Sequence, residues 1–149
     1  MDRRRFIAGG AASAAALATR AASGWIRECH GDLHLANVVL FDGAPTLFDA
    51  IEFNAELRCI DVVSDVAFMF MDLADHHLDA QAWRFVSAYL EMTGDYGGLA
   101  LLRWYAVYRA LVRATNARYL AAARQIDSAQ LPASKLITHE IFVRELERA

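Results

Sequence analysis

Residues 60–73 form the stretch that most limits how this chain can fold, because they are apolar on nearly every side of a helix. Its only polar members are Asp61, Ser64, Asp65 and Asp72. A helix that is apolar all round is typical of the middle of a domain, so we expect this stretch to be the core helix. Asp61 and Asp65 lie on one of its faces. Each buried carboxylate should then receive hydrogen bonds, because an unpaired one is costly.

Short strands and one turn are predicted before this helix. Residues 25–29 and 38–41 have the composition of short buried strands. The segment Asp42-Gly43-Ala44-Pro45 has the residues of a tight turn. Residues 46–53 would form the returning strand and its continuation. The sequence therefore predicts a β-hairpin shortly before the core helix.

Helices are predicted for the rest of the chain, at residues 79–92, 99–124 and 138–148. Gly94 would end the first of them as a C-terminal cap. The fold class is therefore mainly α with a short β-hairpin (α+β). We divide the chain into an alanine-rich N-terminal segment at residues 1–24, a central lobe at 25–124 and a C-terminal tail with an amphipathic helix at 125–149.

Length and composition limit the classes of function. With 149 residues the chain can bury one core. Its 56% hydrophobic and 22% charged residues, with a net charge of −3, describe a globular domain without the basic surface of a nucleic-acid-binding protein. No stretch is apolar enough for a mature transmembrane helix, so we expect neither nucleic acid nor membrane as a partner. Cys29 and Cys59 are too few for a disulfide framework and favour a reducing compartment.

Two loops carry residues that suit phosphoryl transfer, and the first reads His30-Gly31-Asp32-Leu33-His34-Leu35-Ala36-Asn37. This reaction requires a carboxylate that orients the accepting hydroxyl, and oxygen ligands that hold Mg²⁺ between phosphate oxygens. Asp32 would orient the hydroxyl and accept its proton. Asn37 and Asp49, which the hairpin brings back beside it, would bind Mg²⁺ and through it the nucleotide.

The two loops together resemble a known family. The His-Gly-Asp-x-x-x-x-Asn motif, with a second aspartate after a strand-turn-strand, matches the kinase signature with glycine in place of the catalytic-loop arginine. With the Asp-x-x-x-Asp-Val-Ala sequence at residues 61–67, the segment from residue 26 to about 118 resembles the C-lobe of the aminoglycoside-phosphotransferase family, which has a protein-kinase-like fold. The resemblance covers roughly two thirds of the chain.

The resemblance implies a small-molecule kinase that transfers the γ-phosphate of ATP to a substrate hydroxyl and uses Mg²⁺. It implies that His30 packs under the catalytic loop as a structural residue. It also implies that Asp61 and Asp65 support that loop by accepting hydrogen bonds from its backbone amides. The alternative for these two carboxylates is helix capping or pairing with an arginine such as Arg58.

Each site residue also has a simpler interpretation. Asp32 and Asp49 could be turn aspartates that bond their own backbone. His34 is expected to be a solvated loop residue. Glu52 and Asn54 lie where such enzymes meet their substrate, but either could be an ordinary solvated residue.

The N-lobe that completes such an enzyme is expected to be largely absent. That lobe covers the phosphates with a loop and pairs a strand lysine with a helix glutamate. The 29 residues before His30 contain no lysine, and Lys135 lies far beyond both loops. No Gly-x-x-x-x-Gly-Lys-(Ser/Thr) segment follows Arg118. We therefore expect the isolated chain to be nearly inactive and to need the missing N-lobe or an adjoining ATP-binding domain.

Two other functions compete with this one. The first is a non-catalytic, pseudokinase-like fragment that acts as a binding module. The second is a zinc hydrolase site, because a His-x-Asp-x-His run on a strand would place His30, Asp32 and His34 on one face, near Asp49.

The N-terminal segment has two interpretations. Arg3-Arg4-Arg5-Phe6-Ile7 and the alanine-rich run to Ala18 are typical of a twin-arginine export signal. The alternative is an alanine-rich helix that leads into the next segment. We expect a cytoplasmic protein because ATP is abundant there, with export through a signal at residues 1–18 as the alternative.

Overall fold

The structure is a computed structural model that describes residues 14–148, apart from the side chains of residues 145 and 148. Within this range the chain is mainly helical, with two small two-stranded antiparallel sheets. The expected class, mainly α with a β-hairpin, is confirmed at this level. The arginines on which the alternative of an export signal depends lie outside the described residues. The chain divides into two compact units, Met1–Val107 and Tyr108–Ala149.

The helices and strands of the described residues follow one another along the chain in a simple order. They are α1 (residues 14–22), β1 (Ile26–Glu28), β2 (Val38–Phe41), β3 (Ala44–Leu47), α2 (Ala55–Arg58), β4 (Cys59–Asp61), α3 (Val62–Asp75), α4 (Asp79–Thr93), α5 (Leu99–Arg124) and α6 (Ala133–Arg148).

The predicted hairpin is confirmed in β2 and β3, which pair antiparallel with Val38 opposite Leu47. Asp42 and Gly43 both have positive φ angles, 50° and 78°, as a two-residue type I′ turn requires. The returning strand ends at Leu47, whereas the sequence predicted that it continues to residue 53. The reason is the backbone of Asp49, whose φ of 58° cannot continue a strand.

Two other features of the strands differ from the prediction. The strands expected to be buried have mostly exposed residues, because each belongs to a sheet of only two strands. Strand β4 was missed, since Ile60 was assigned to the apolar helix. It pairs with β1, and Ile26 lies opposite Asp61. The helix therefore starts at Val62, with Asp61 as its N-cap.

Helix α3 is the core helix, as predicted, and it contributes to both hydrophobic clusters of the first unit. The larger cluster consists of Val63, Val66, Ala67, Val86, Leu90, Leu101, Leu102 and Tyr105. The smaller one consists of Leu33, Met69, Leu73 and Ala82, and so includes a residue of the loop after β1. The predicted cap of α4 is also confirmed. Gly94 has a φ of 72°, and its N–H donates to the carbonyl of Leu90.

The second unit contains the rest of α5 and all of α6. Helix α5 has the predicted bounds, whereas α6 begins five residues earlier than predicted, directly after Pro132. Proline is well suited to the start of a helix. In the described part of the chain, no helix combines the length and apolarity that a membrane crossing requires.

Candidate active site

The loop that carries Asp32 is attached to α3 at two points. The N–H of Gly31 donates to Oδ2 of Asp65 at 2.9 Å, and the N–H of Leu35 donates to Oδ2 of Asp72 at 2.8 Å. Both carboxylates are buried. They lie two helical turns apart, about 10 Å along the axis, so the loop runs alongside the helix. The loop-amide bond predicted for Asp65 is confirmed, and the second anchor, Asp72, was missed.

Apolar packing fills the space between the two anchors. Leu33 belongs to the cluster formed with Met69 and Leu73 of α3. The ring of His34 packs against Phe68, with ring centroids 5.2 Å apart. The expectation that His34 is solvated is wrong, because this side chain is buried. The loop turns it towards α3, where the aromatic ring of Phe68 covers it.

Gly31 cannot readily be replaced at its position in this loop. Its φ is 84°, in the left-handed region that glycine adopts without strain. A Cβ atom here would lie 3.0 Å from both Cδ1 of Ile51 and the carbonyl oxygen of Leu57. The close approach of three chain segments therefore requires glycine in the motif.

The carboxylate of Asp32 is held from one side. Its Oδ2 atom accepts a hydrogen bond from Nδ2 of Asn37 at 3.2 Å and lies 3.3 Å from Nε2 of His34. Among the described residues, no hydrogen bond to Oδ1 is found, and 30% of the side chain is exposed. One oxygen is thus fixed by nitrogen donors, and the other can accept a proton from an incoming group.

Asn37 is buried and its amide has a defined orientation. Nδ2 donates to the backbone oxygen of Asp32 at 2.9 Å as well as to the carboxylate of the same residue. Because both partners are oxygen atoms, the NH₂ group must face them. The amide oxygen of Asn37 is therefore the atom that can act as a ligand.

Backbone hydrogen bonds place the second loop beside Asn37. The carbonyl of Asn37 accepts from the N–H of Phe48 at 3.1 Å, which extends the hairpin ladder by one pair. Asp49 is the next residue, exposed and with a φ of 58°. Aspartate tolerates this left-handed conformation better than most residues do, and such conformations often occur at functional sites.

His30 forms hydrogen bonds with the second loop on both sides of Asp49. Its Nε2 atom lies 2.8 Å from the carbonyl oxygen of Phe48, and its own carbonyl accepts from the N–H of Ile51 at 2.9 Å. Because a carbonyl only accepts, Nε2 must carry the proton. These contacts fix the segment on both sides of Asp49, which is consistent with the structural role expected for His30.

Asp61 is bound differently from the prediction. It accepts from the N–H of Val63 as the N-cap of α3, and both of its oxygens pair with the guanidinium of Arg20, at 2.7 and 2.8 Å. The expectation that loop amides are its donors is wrong. The alternative of capping and pairing with an arginine holds for Asp61, but the arginine is Arg20 and not Arg58. The reason is that α1 lies against the start of α3, so that Arg20 contacts the carboxylate of Asp61 directly.

Arg20 joins three helical segments through a buried network. Besides Asp61 it binds Asp95 with two hydrogen bonds of 2.6 and 2.7 Å. Tyr89 donates its hydroxyl to the same carboxylate at 2.5 Å. The sequence contains no signal for this role of Arg20, because it is an arginine in an alanine-rich segment. Asp61 and Asp95 each precede a helical segment, and this position is a weak signal for a buried carboxylate.

Burial and ion pairing shift the pKa values in this network. Burial opposes the charge on Arg20, but hydrogen bonds to Asp95 and Asp61 outweigh it and raise its pKa. Burial would raise the pKa of Asp95, yet hydrogen bonds from Arg20 and Tyr89 lower it below its usual value. Burial and the hydrogen bond to Asp95 raise the pKa of Tyr89. Near the loop, burial and the charge of Asp65 raise the pKa of Cys29 to about 11.

The remaining positions singled out from the sequence are the two expected substrate contacts and the alternative zinc ligands. Asn54 caps α2 by accepting from the N–H of Glu56 at 2.9 Å, so its side chain serves the fold. Glu52 is exposed. Within residues 14–148, no group of three or more histidine, cysteine, aspartate or glutamate side chains is arranged to hold a metal ion. The zinc cluster proposed for His30, Asp32, His34 and Asp49 is therefore not supported, and the run from His30 to His34 lies in a loop rather than on a strand.

Comparison with known proteins gives a partial match. Uncharacterized proteins of Mycobacterium tuberculosis and Mycobacterium bovis are each 38% identical to the chain over 97 residues, which is 65% of this chain and 20% of those proteins. The chain thus spans about a fifth of the length of the curated relatives it matches. No protein-family model matches the chain, and no solved structure does.

Proposed function

We propose that the chain is the catalytic lobe of an ATP-dependent phosphotransferase, with the C-lobe fold of the aminoglycoside-phosphotransferase family, that phosphorylates a hydroxyl of a small molecule. The observation that carries the proposal is the arrangement of Asp32 and Asn37. One carboxylate oxygen of Asp32 is fixed by the Asn37 amide, and the other carboxylate oxygen is left without an intramolecular donor among the described residues. The base is then oriented before a substrate arrives.

In this proposal Asp32 accepts the proton of the substrate hydroxyl as that oxygen attacks the γ-phosphorus of ATP. The bond from this phosphorus to the bridging oxygen breaks, and ADP leaves. General bases contribute about 10²–10⁴-fold to turnover. The two anchors on α3 and the packing of Leu33 hold the loop rigid, so the carboxylate does not have to be ordered during the reaction. Much of phosphoryl-transfer catalysis is positioning of this kind.

The donor set beside Asp32 suits Mg²⁺. The amide oxygen of Asn37 and the carboxylate of Asp49 are hard oxygen ligands, which Mg²⁺ prefers, and this ion usually keeps waters and phosphate oxygens as its other ligands. When bound with ATP, Mg²⁺ would neutralise charge on the transferred phosphate. The ladder pair between Asn37 and Phe48 supports the placement of the two ligand residues in neighbouring segments.

The nucleotide-binding groups are proposed to come from a further segment or an adjoining ATP-binding domain. The sequence before Lys135 contains no lysine for the phosphates. The hairpin carries large apolar side chains that are exposed, and Leu40 and Phe41 are 78% and 65% exposed. Contiguous exposed apolar side chains of this kind are typical of a surface that another segment covers. Alone, the chain should turn over slowly.

A phosphotransfer assay tests the proposal. The purified chain is incubated with radiolabelled ATP, Mg²⁺ and a panel of hydroxylated small molecules, and Asp32→Asn is the variant. We expect slow transfer that falls by about 10²–10⁴-fold in the variant, with little change in nucleotide binding. Glu91→Ala, on the exposed side of α4, is the control. Robust transfer that Asp32→Asn leaves intact would refute both the role of Asp32 and the need for a further lobe.

The alternative is a pseudokinase-like binding module, and nucleotide affinity separates the two. Calorimetric titration with Mg·ATP should give weak binding that Asp49→Ala weakens further if the catalytic proposal is right. Binding that is independent of Asp49, combined with no transfer, would favour the module.

For both functions we propose a cytoplasmic location, where ATP is available. Fractionation with an Arg3→Lys, Arg4→Lys variant tests this placement against export.

A further inference from the structure

His34 is a buried, titratable side chain that the proposed mechanism does not use. It is 7% exposed, although it belongs to a loop and follows Asp32 by two residues. Its ring lies against Phe68, and its Nε2 atom lies 3.3 Å from Oδ2 of Asp32. A side chain buried in contact with the base requires an explanation beyond packing.

The contact defines which atom of the ring is the donor. A carboxylate oxygen accepts, so Nε2 carries a hydrogen, either in one neutral tautomer or in the imidazolium. Asn37 donates to the same oxygen at 3.2 Å. The χ1 torsion of an unrestrained aspartate side chain populates several staggered rotamers. Two donors on one oxygen restrict that torsion more than one donor does.

The surroundings of His34 make it a rigid donor. The next residue, Leu35, is anchored on the carboxylate of Asp72, and Phe68 lies on α3 between Asp65 and Asp72. Three carboxylates contact this part of the loop, Asp32 on the loop itself and Asp65 and Asp72 on α3. Both α3 carboxylates accept from loop amides. The ring thus has a fixed position from which to hold Asp32.

We propose that His34 is a positioning residue for Asp32: its Nε2–H holds Oδ2, so that Oδ1 faces the incoming hydroxyl. The consequence for turnover rests on the proposed phosphotransferase function, whereas the effect on the Asp32 side chain does not. His34 acts through Asp32 and does not contact the reacting atoms.

Three substitutions separate donation from packing. His34→Gln keeps an N–H donor without the ring, His34→Leu has a similar size without the donor, and His34→Phe keeps a ring against Phe68 without the donor. His77→Asn is the control, because His77 is an exposed histidine in the same unit and asparagine tolerates its φ of 60°. The readout is the set of three-bond NMR couplings that report the Asp32 side-chain torsion in the 149-residue chain.

We expect single-rotamer couplings for Asp32 in the unsubstituted chain, in His34→Gln and in His77→Asn. We expect loss of them, by averaging, in His34→Leu and His34→Phe. Two donor-free variants are used so that one remains if the other fails to fold. In the transfer assay the donor-free variants should lose up to about 10²-fold in kcat with the KM for Mg·ATP unchanged.

Unchanged couplings in a folded donor-free variant would overturn the proposal, since Asn37 alone would then suffice. Averaged couplings in the unsubstituted chain would also overturn it. If the couplings behave as expected but the unsubstituted chain shows no transfer, the positioning contact stands and the proposed function fails.

Discussion

The N–H of Gly31 donates a hydrogen bond to the buried carboxylate of Asp65 at 2.9 Å, and this bond ties the start of the candidate catalytic loop to the core helix. It joins residues that are 34 positions apart in the sequence. A charged acceptor inside the protein makes this bond stronger than one between neutral groups. The position of Asp32 therefore depends on the packing of α3, and substitutions on either side of the bond should affect both stability and the site.

Replacing Asp65 with alanine should destabilise the first unit. The substitution leaves the N–H of Gly31 buried without its acceptor, and hydrogen bonds to charged groups contribute about 1.5–3 kcal/mol. Urea unfolding should therefore show a loss of at least this size in the free energy of unfolding. Glu91→Ala, an exposed carboxylate on α4, should change it by no more than about 0.5 kcal/mol. Equal effects of the two substitutions would contradict the anchoring role.

Replacing Gly31 with alanine should cost more than the same change at Gly24. Both glycines have positive φ angles, 84° and 75°, so each alanine carries a left-handed penalty of about 1–2 kcal/mol. A Cβ at Gly31 also meets Ile51 and Leu57 at 3.0 Å, whereas a Cβ at Gly24 has no atom within 4 Å. The loss of unfolding free energy at Gly31 minus the loss at Gly24 therefore measures the cost of the contacts with Ile51 and Leu57 alone. It should be positive, and a difference of zero would mean that the loop can move away.

The sequence revealed the elements of the site better than their connections. The core helix, the hairpin with Asp42 and Gly43, and the Gly94 cap were predicted, because periodicity and turn residues are local signals. A hydrogen bond from a loop amide to Asp65 was expected from the resemblance, but the donor, Gly31, was not identified.

The missed features are non-local. Strand β4 exists only because β1 pairs with it, and an apolar residue such as Ile60 suits a strand or a helix equally well. The burial of His34 depends on Phe68, and the partner of Asp61 depends on Arg20 from a helix 41 residues away. Sequence patterns alone do not show which surfaces meet.

Replacing Arg20 with methionine should destabilise the first unit strongly at neutral pH. It leaves Asp61 and Asp95 buried without their cation, and removal of one partner from a buried ion pair costs about 3–5 kcal/mol. The guanidinium groups of Arg20 and Arg27 lie 5.0 and 5.2 Å from the ring centroid of Trp25. Arg27→Met removes the exposed arginine of the two and should cost less than about 1 kcal/mol. Urea unfolding of both variants at pH 7 provides the comparison.

The same variant should respond to pH in a defined direction. The pKa of Asp95 is lower in the folded chain than its usual 3.8, so its ionised form stabilises the fold above that value. This contribution is lost as the pH falls through the lower pKa of the folded state. The difference in unfolding free energy between the unsubstituted chain and Arg20→Met should therefore be largest and constant above about pH 5. It should decrease as the pH falls below 3.8. A constant difference would show that the pair does not control Asp95.

We propose that Asn37 and Asp49 form a divalent-cation site beside Asp32, and paramagnetic NMR can detect such a site. Mn²⁺ shares the oxygen-ligand preference of Mg²⁺ and broadens the signals of nearby nuclei. We predict that a trace of Mn²⁺ selectively broadens the amides around Asp32, Asn37 and Asp49 and that excess Mg²⁺ reverses the effect. Asp49→Ala should abolish the broadening, whereas Asp42→Asn, which removes a carboxylate from the turn of the same hairpin and tolerates its φ of 50°, should not. Broadening that is spread over other acidic residues, or that persists in Asp49→Ala, would contradict a cation site at Asn37 and Asp49.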